Sequence, residues 1–165
     1  MSTGLFPMLA RFNAWANGRI YDCCAKLSDA EYRLNRNAFF GSIHATLNHL
    51  LVVDKVWRAR VEGVMADVES LDQILHDGLP ALRAARVAED EALIRTVDGL
   101  KSADGARIVK YQFMNGAPGE TPVDIVLITL FNHQTHHRGQ VHTMLTQAGI
   151  VPPSLDIIAF PGAQR

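Results

Sequence analysis

The stretch His133-Gln134-Thr135-His136-His137-Arg138-Gly139-Gln140 carries the side chains best suited to chemistry. At 3.6 residues per turn, a helix points His133 and His137 within about 40° of each other. Two neutral imidazoles on one rigid element can share a cation at about 2.0–2.1 Å, and a third ligand from another element would leave a coordination position open to a guest. His136 stands three residues from His133, also a workable spacing, so spacing alone leaves the partner of His133 open between His136 and His137. Three neutral imidazoles would leave the ion its full dipositive charge, which acidifies a bound water or thiol.

The other histidines are read against that pair. His49 shares a helix face with Ala45, Thr46, Val52, Val53 and Val56, surroundings appropriate to an inward position, whereas His44 points elsewhere. A lone inward histidine is best read as a hydrogen-bonded core residue, but a histidine pair on another helix makes His49 the candidate third ligand. His142 is expected on the solvent side or at an interface, and His76, beside Asp77 and Gly78, at the surface. Gln140 lies on the ligand face one turn beyond His137 and could bond to water or substrate. Asp54 reads as a surface or interhelix ion pair, Trp57 as core or pocket wall, and Arg138 as an ion-pair or interface residue. Gly139 would let a neighbouring helix approach closely. Glu89 is the one carboxylate considered for the interior, with solvated surface the better expectation; the catalytic residues stay unknown.

Four long helices must position these groups. Leu5, Leu9, Phe12, Ala16, Ile20, Cys23 and Leu27 recur at the amphipathic period, and Ser28-Asp29-Ala30-Glu31 restarts the chain as a short helix through a capping box. A second long helix is predicted from Ser42 to Glu62, with Gly63 as its stop. Ser70 to Gln73 repeats the capping-box pattern, and Gly78-Leu79-Pro80 precedes a third long helix carrying Leu82, Ala85, Ala92, Leu93, Val97 and Leu100, the weakest stripe of the four. Arg107 to Met114, with Asn115-Gly116 and Pro118-Gly119, predicts an extended excursion or small hairpin. Thr121-Pro122-Val123-Asp124 predicts the start of the fourth, with Thr121 as cap and Pro122 in the first helical position, and Gln147 its end. Its inward sector holds Val126, Thr129, Leu130, His133, His137, Gln140 and Met144. The apolar residues Leu155, Ile157, Ile158 and Phe160 predict that the last segment folds back over the rest. The fold class expected is all-α, an antiparallel four-helix bundle with a small extended excursion before the last long helix.

At 165 residues and nearly half apolar, the chain is expected to form a single domain over 1–165. Its net charge of −1 supplies no field for nucleic acid or anionic lipid, so neither is an expected partner. Met1 to Leu9 lacks the pattern of a secretory leader, and a cytoplasmic location is expected. Cys23 and Cys24 are expected to be reduced, Cys23 as core filler.

Three stretches resemble the DinB-like family of metal-binding helical proteins: Phe12-Asn13-Ala14-Trp15-Ala16-Asn17; Ser42-Ile43-His44-Ala45-Thr46-Leu47-Asn48-His49-Leu50-Leu51 leading to Asp54 and Trp57; and Asn132-His133-Gln134-Thr135-His136-His137-Arg138-Gly139-Gln140. The resemblance covers nearly the whole chain. It implies a metal held by His49, His133 and His137, with His136 left as a pocket candidate, and it implies a homodimer. Imidazole ligation suits zinc, nickel, copper or iron, with zinc or nickel the first expectation. The function expected is metal-dependent chemistry on a small molecule, either a transferase using a low-molecular-weight thiol or a hydrolase. The alternative is a non-catalytic metal- or small-ligand-binding protein of the stress response. An open three-histidine site favours the enzyme.

Overall fold

The computed structural model describes residues 4–113 and 115–163. Met114, the end of the expected extended run, lies outside them, as do residues 1–3 of the Met1 to Leu9 segment and the last two residues. The chain is mostly helical with one small sheet: α1 (Leu5–Cys24), α2 (Asp29–Arg33), α3 (Ile43–Glu62), α4 (Leu79–Gly99), the strands β1 (Ile108–Gln112) and β2 (Pro118–Pro122), and α5 (Val123–Gln147). No helix among the described residues is long and apolar enough to cross a membrane.

Local chemistry accounts for most boundaries. Ser28 and Ser42 each accept a hydrogen bond from the backbone three residues on, at Glu31 and Ala45, satisfying amide groups that a helix start leaves free. Gly63 takes φ +74° beyond the last turn of α3, a left-handed conformation that glycine adopts without a Cβ clash. The start of α5 departs from expectation. Thr121 and Pro122 are the last residues of β2, and the Thr121 hydroxyl bonds to Tyr111 across the hairpin rather than capping the helix. The hairpin therefore runs directly into α5, whose first amide, Val123, donates to the Arg107 carbonyl. Ser70 to Gln73 forms no helix either. Gln73 accepts from the Glu69 amide while Ser70 donates to Asp72, so the same side-chain chemistry closes a turn.

The four long helices touch in the cyclic order α1, α4, α3, α5. Their burial falls into two apolar clusters. One gathers Ile20, Leu47, Leu50, Leu51, Leu82, Val141 and Leu145; the other gathers Phe6, Ala10, Val61, Leu93, Val97, Val126, Leu127 and Leu130. Chain order through these clusters gives the directions: α1 and α5 run from the second cluster to the first, α3 and α4 the reverse. Neighbours α1/α4 and α3/α5 are antiparallel as expected, while α3/α4 and α1/α5 run the same way. The cause is the 63–78 segment, which must return the full length of α3 before α4 can begin, and in doing so passes over His49.

A polar layer separates the clusters: Asn13, Asn17, Asp54, Arg86, Asp90, Gln134 and Arg138 are all buried. This layer explains the weak stripe of α4, whose inward face reads Leu82, Arg86, Glu89, Asp90, Leu93, Val97. The tail is only partly folded back. Phe160 packs against Phe12 and Trp15 at 5.7–6.1 Å between ring centres, whereas Ile158 stays exposed. Both cysteines are free and buried.

Candidate metal centre

His49 from α3 meets His133 and His137 from α5, with ring centres 4.4–5.0 Å apart and one ligand-capable atom of each within 4.8 Å of the others. The geometry is favoured by helix periodicity on α5 and by antiparallel packing of α3 on it. Nε2 of His49 lies 3.1 Å from Nε2 of His133. Two nitrogens bound at 2.0–2.1 Å to one tetrahedral ion stand about 3.3 Å apart, so this spacing fits a shared cation.

Hydrogen bonds on the far side of two rings fix which nitrogen faces the centre. Nδ1–H of His49 donates to the Leu71 carbonyl at 2.7 Å, and a carbonyl can only accept. Nδ1–H of His137 donates to Oε1 of Gln140 at 2.8 Å. Each Nε2 is thereby left with its lone pair inward, the arrangement that outer hydrogen bonds impose on ligating histidines. His133 has no such support: its Nδ1 is buried with no hydrogen-bond partner among the described residues.

All three imidazoles are held neutral. Burial pushes His133 down to about 3, helped by repulsion from His137, His49 and His136. Burial also lowers His49 and His137, each partly offset by its hydrogen bond to Leu71 or Gln140. Neutral imidazole is the ligating form, and among the described residues no carboxylate joins the set.

A cavity of about 600 Å³ opens onto His49 and His137. Phe40 stacks on His49 at 3.9 Å, Leu71 and Asp72 come from the returning segment, and His136, Gln140 and the exposed Phe39 complete the wall. Left-handed backbone at Asn37 and Gly41 tightens the turn that presents the two phenylalanines. The Asp72 carboxyl is held below its ordinary value, chiefly by the Ser70 hydroxyl. A larger groove of about 790 Å³ lies between the end of α3 and the hairpin, and none of the three histidines lines it.

The remaining expectations divide. His136 is exposed at the cavity and accepts from Gln140, as a pocket residue should. His44 bonds to the His76 carbonyl away from the centre. Trp57 is half-buried against Tyr111. Asp54 does form an interhelix ion pair, with Arg86 at 2.8 Å, but wholly inside. Among the described residues Arg138 makes no direct ion pair. It is buried and donates from Nη1 to the amide oxygens of Asn13, Asn17 and Gln134. Glu89 is buried, not solvated, since Arg58 reaches over to hold both its oxygens at 2.6 and 3.0 Å. Thr129 is exposed, and nothing packs within 4 Å of where a Gly139 Cβ would stand, so no helix approaches there.

Sequence reasoning missed Phe40, the Leu71 carbonyl and most of the polar layer. Phe40 and Leu71 carry no local signal. The layer does carry one: Asn13 and Asn17, Arg86 and Asp90, and Gln134 and Arg138 are polar pairs spaced by four within otherwise apolar faces.

Comparison with known proteins agrees with this architecture. The chain is 28% identical to protein DinB of Bacillus subtilis (strain 168), across 90% of this chain and 88% of that protein. The fold resembles the crystal structure of a DinB-like protein from Bacillus cereus ATCC 10987, with a TM-score of 0.61 and 21% identity, covering 84% of this chain and 89% of that one. The DinB family model matches residues 1–164, and the chain belongs to the DinB family.

Proposed function

We propose that this protein binds a divalent transition metal, zinc or nickel, through His49, His133 and His137 inside a four-helix bundle, and uses it for chemistry on a small molecule. The observation that carries the reading is the convergence of neutral imidazoles beside an open cavity, with Nδ1 of His49 and His137 already committed to outer acceptors. Such an ion, when bound, would act as a Lewis acid that lowers the pKa of a water or thiol.

The chain's own residues do the rest. Leu71 and Gln140 hold two ligands in the productive tautomer, Phe40 covers one face of His49 against water, and the apolar wall of Phe39, Phe40 and Leu71 accepts the body of a guest. Gln140 and His136 supply polar atoms at the mouth. Between the two enzyme readings, a thiol-dependent transferase is favoured over a hydrolase. Among the described residues no carboxylate converges with the three imidazole nitrogens, Asp72 at the cavity wall accepts from the Ser70 hydroxyl, and Glu89 is occupied by Arg58. A thiol ionised by a metal needs a weaker base.

The same lack of a general base favours, as a second reading, a non-catalytic metal or small-ligand carrier. The experiment is metal analysis of protein purified without a metal-affinity column, followed by cobalt substitution and titration with small thiols. About one divalent ion per chain and a thiol-dependent change in the visible d–d spectrum are expected. A spectrum unmoved by every thiol removes the transferase reading, and failure to take up any divalent ion removes the metal reading.

A further inference from the structure

Each of the three histidines is followed in sequence by a residue of one hydrogen-bonded group: His49 by Leu50, His133 by Gln134, His137 by Arg138. A helix turns about 100° per residue, so as the imidazoles face the cavity these followers face the interior at the same height. There Gln134, fully buried, donates from Nε2 to Asp54 Oδ2 at 2.6 Å, with the Leu50 carbonyl at 3.4 Å, while its Oε1 accepts from Arg138 Nη1 at 3.1 Å. The amide of the residue after His133 thus touches the residues after His49 and His137 and crosses from α5 to α3.

We propose that Gln134 is a positioning residue for the histidine centre, locking α5 against α3 in the register that sets His133 opposite His49. The inference rests on the metal reading only for its purpose; the register itself is a property of the protein without metal. His133 is the ring that needs such a lock, because His49 and His137 each have an outer acceptor and His133 has none. The amide is itself held from both ends. Asp54 is anchored to α4 through Arg86, and Arg138, on α5 itself, ties that helix to α1 through Asn13 and Asn17, so the register of α5 is held against two neighbours at once. A slip of one residue along α5 would carry His133 about 1.5 Å along the axis and swing it by about 100°, which would separate it from His49.

The test compares Gln134→Leu with an exchange of donor and acceptor, Gln134→Glu combined with Asp54→Asn, which conserves charge and can rebuild the bond in reverse. In Gln134→Leu, cobalt affinity should fall at least about tenfold, within the range typical of lost outer support to a ligand, and the d–d bands should shift. The exchange should recover affinity to within about threefold and restore the spectrum. Histidine side-chain 15N NMR of the metal-free protein gives a second readout: the signals of His49 and His133 should move in Gln134→Leu and return in the exchange. If Gln134→Leu does not fold, Gln134→Glu alone takes its place with the same expectations. Unchanged 15N signals, or an exchange no better than the single substitution, overturn the proposal. A wild-type protein that takes up no cobalt while its 15N signals depend on Gln134 as described overturns the metal reading and leaves the positioning role supported.

Discussion

The histidine centre and the polar layer behind it stand at the same height of the fold and are both largely withdrawn from water, yet they are built on opposite terms. The layer brings its own counter-charges. Arg86 lies 2.8 Å from Asp54 and 3.0 Å from Asp90, charge contacts rather than aligned hydrogen bonds, and Asn13 and Asn17 donate to Asp90. The histidine centre brings three like groups, with no carboxylate among them and one nitrogen left without a partner. A buried set whose charges cancel can hold a fold together; a buried set of converging lone pairs could hold a cation from outside. Burial therefore does not distinguish structure from function here, but the balance of charge does.

The largest effect that could break this contrast is expected at Arg86. Arg86→Met leaves two buried carboxylates without their counter-ion and should cost about 3–5 kcal/mol in urea unfolding, since removing one partner of a buried pair strands the other. A loss below about 1 kcal/mol would mean the layer does not hold the fold. His133→Leu should do the reverse, weakening cobalt binding by about a hundredfold or more while leaving metal-free stability within about 1 kcal/mol of wild type, because the ring it removes has an unsatisfied nitrogen. Equal damage to stability and binding would erase the difference between the two regions.

Acid sharpens it further. Unfolded histidines accept protons near 6.5, whereas folded His133 resists until about 3, so stability present above about pH 6.5 is lost as the pH falls toward 3. Asp54 works in the other direction. Burial, only partly countered by Arg86 and Gln134, pushes its carboxyl up from 3.8 to about 6, so acidifying through that window favours the folded state. With His49 and His137 also lowered, the metal-free protein should show a falling urea midpoint from pH 6.5 downward, and Asp54→Asn should make the fall steeper by removing part of an offset that the raised carboxyl of buried Asp90 shares. A midpoint that is flat or rises would mean the histidines are not held neutral. The smallest effect is the control outside both regions: Gly139→Ala, exposed and unobstructed on α5, should stabilise by about 0.5–1 kcal/mol with cobalt affinity unchanged.

Much of this was legible in the chain because helical periodicity is a local property. The cap at Ser28, the stop at Gly63, the hairpin before α5 and the placing of His133 beside His137 all follow from residues within a few positions of one another. The interior charges were harder. A charged residue on a helix is ordinarily solvated, and nothing near Glu89 in sequence announces that Arg58 will meet it from another helix. Spacing likewise offered His136 and His137 equally, and only packing turned His137 inward and left His136 at the mouth.

The sequence by itself determined that four amphipathic helices form and that two imidazoles share one face of the last, because both depend on a repeat of 3.6 residues. Only the tertiary structure decided that His49 reaches them, that the Leu71 carbonyl and Phe40 dress its ring, and that Gln134 ties α5 to Asp54. Those contacts join residues 9 to 84 positions apart. They exist because the 63–78 segment runs back along α3 and because buried polar groups from separate helices must find partners once water is gone.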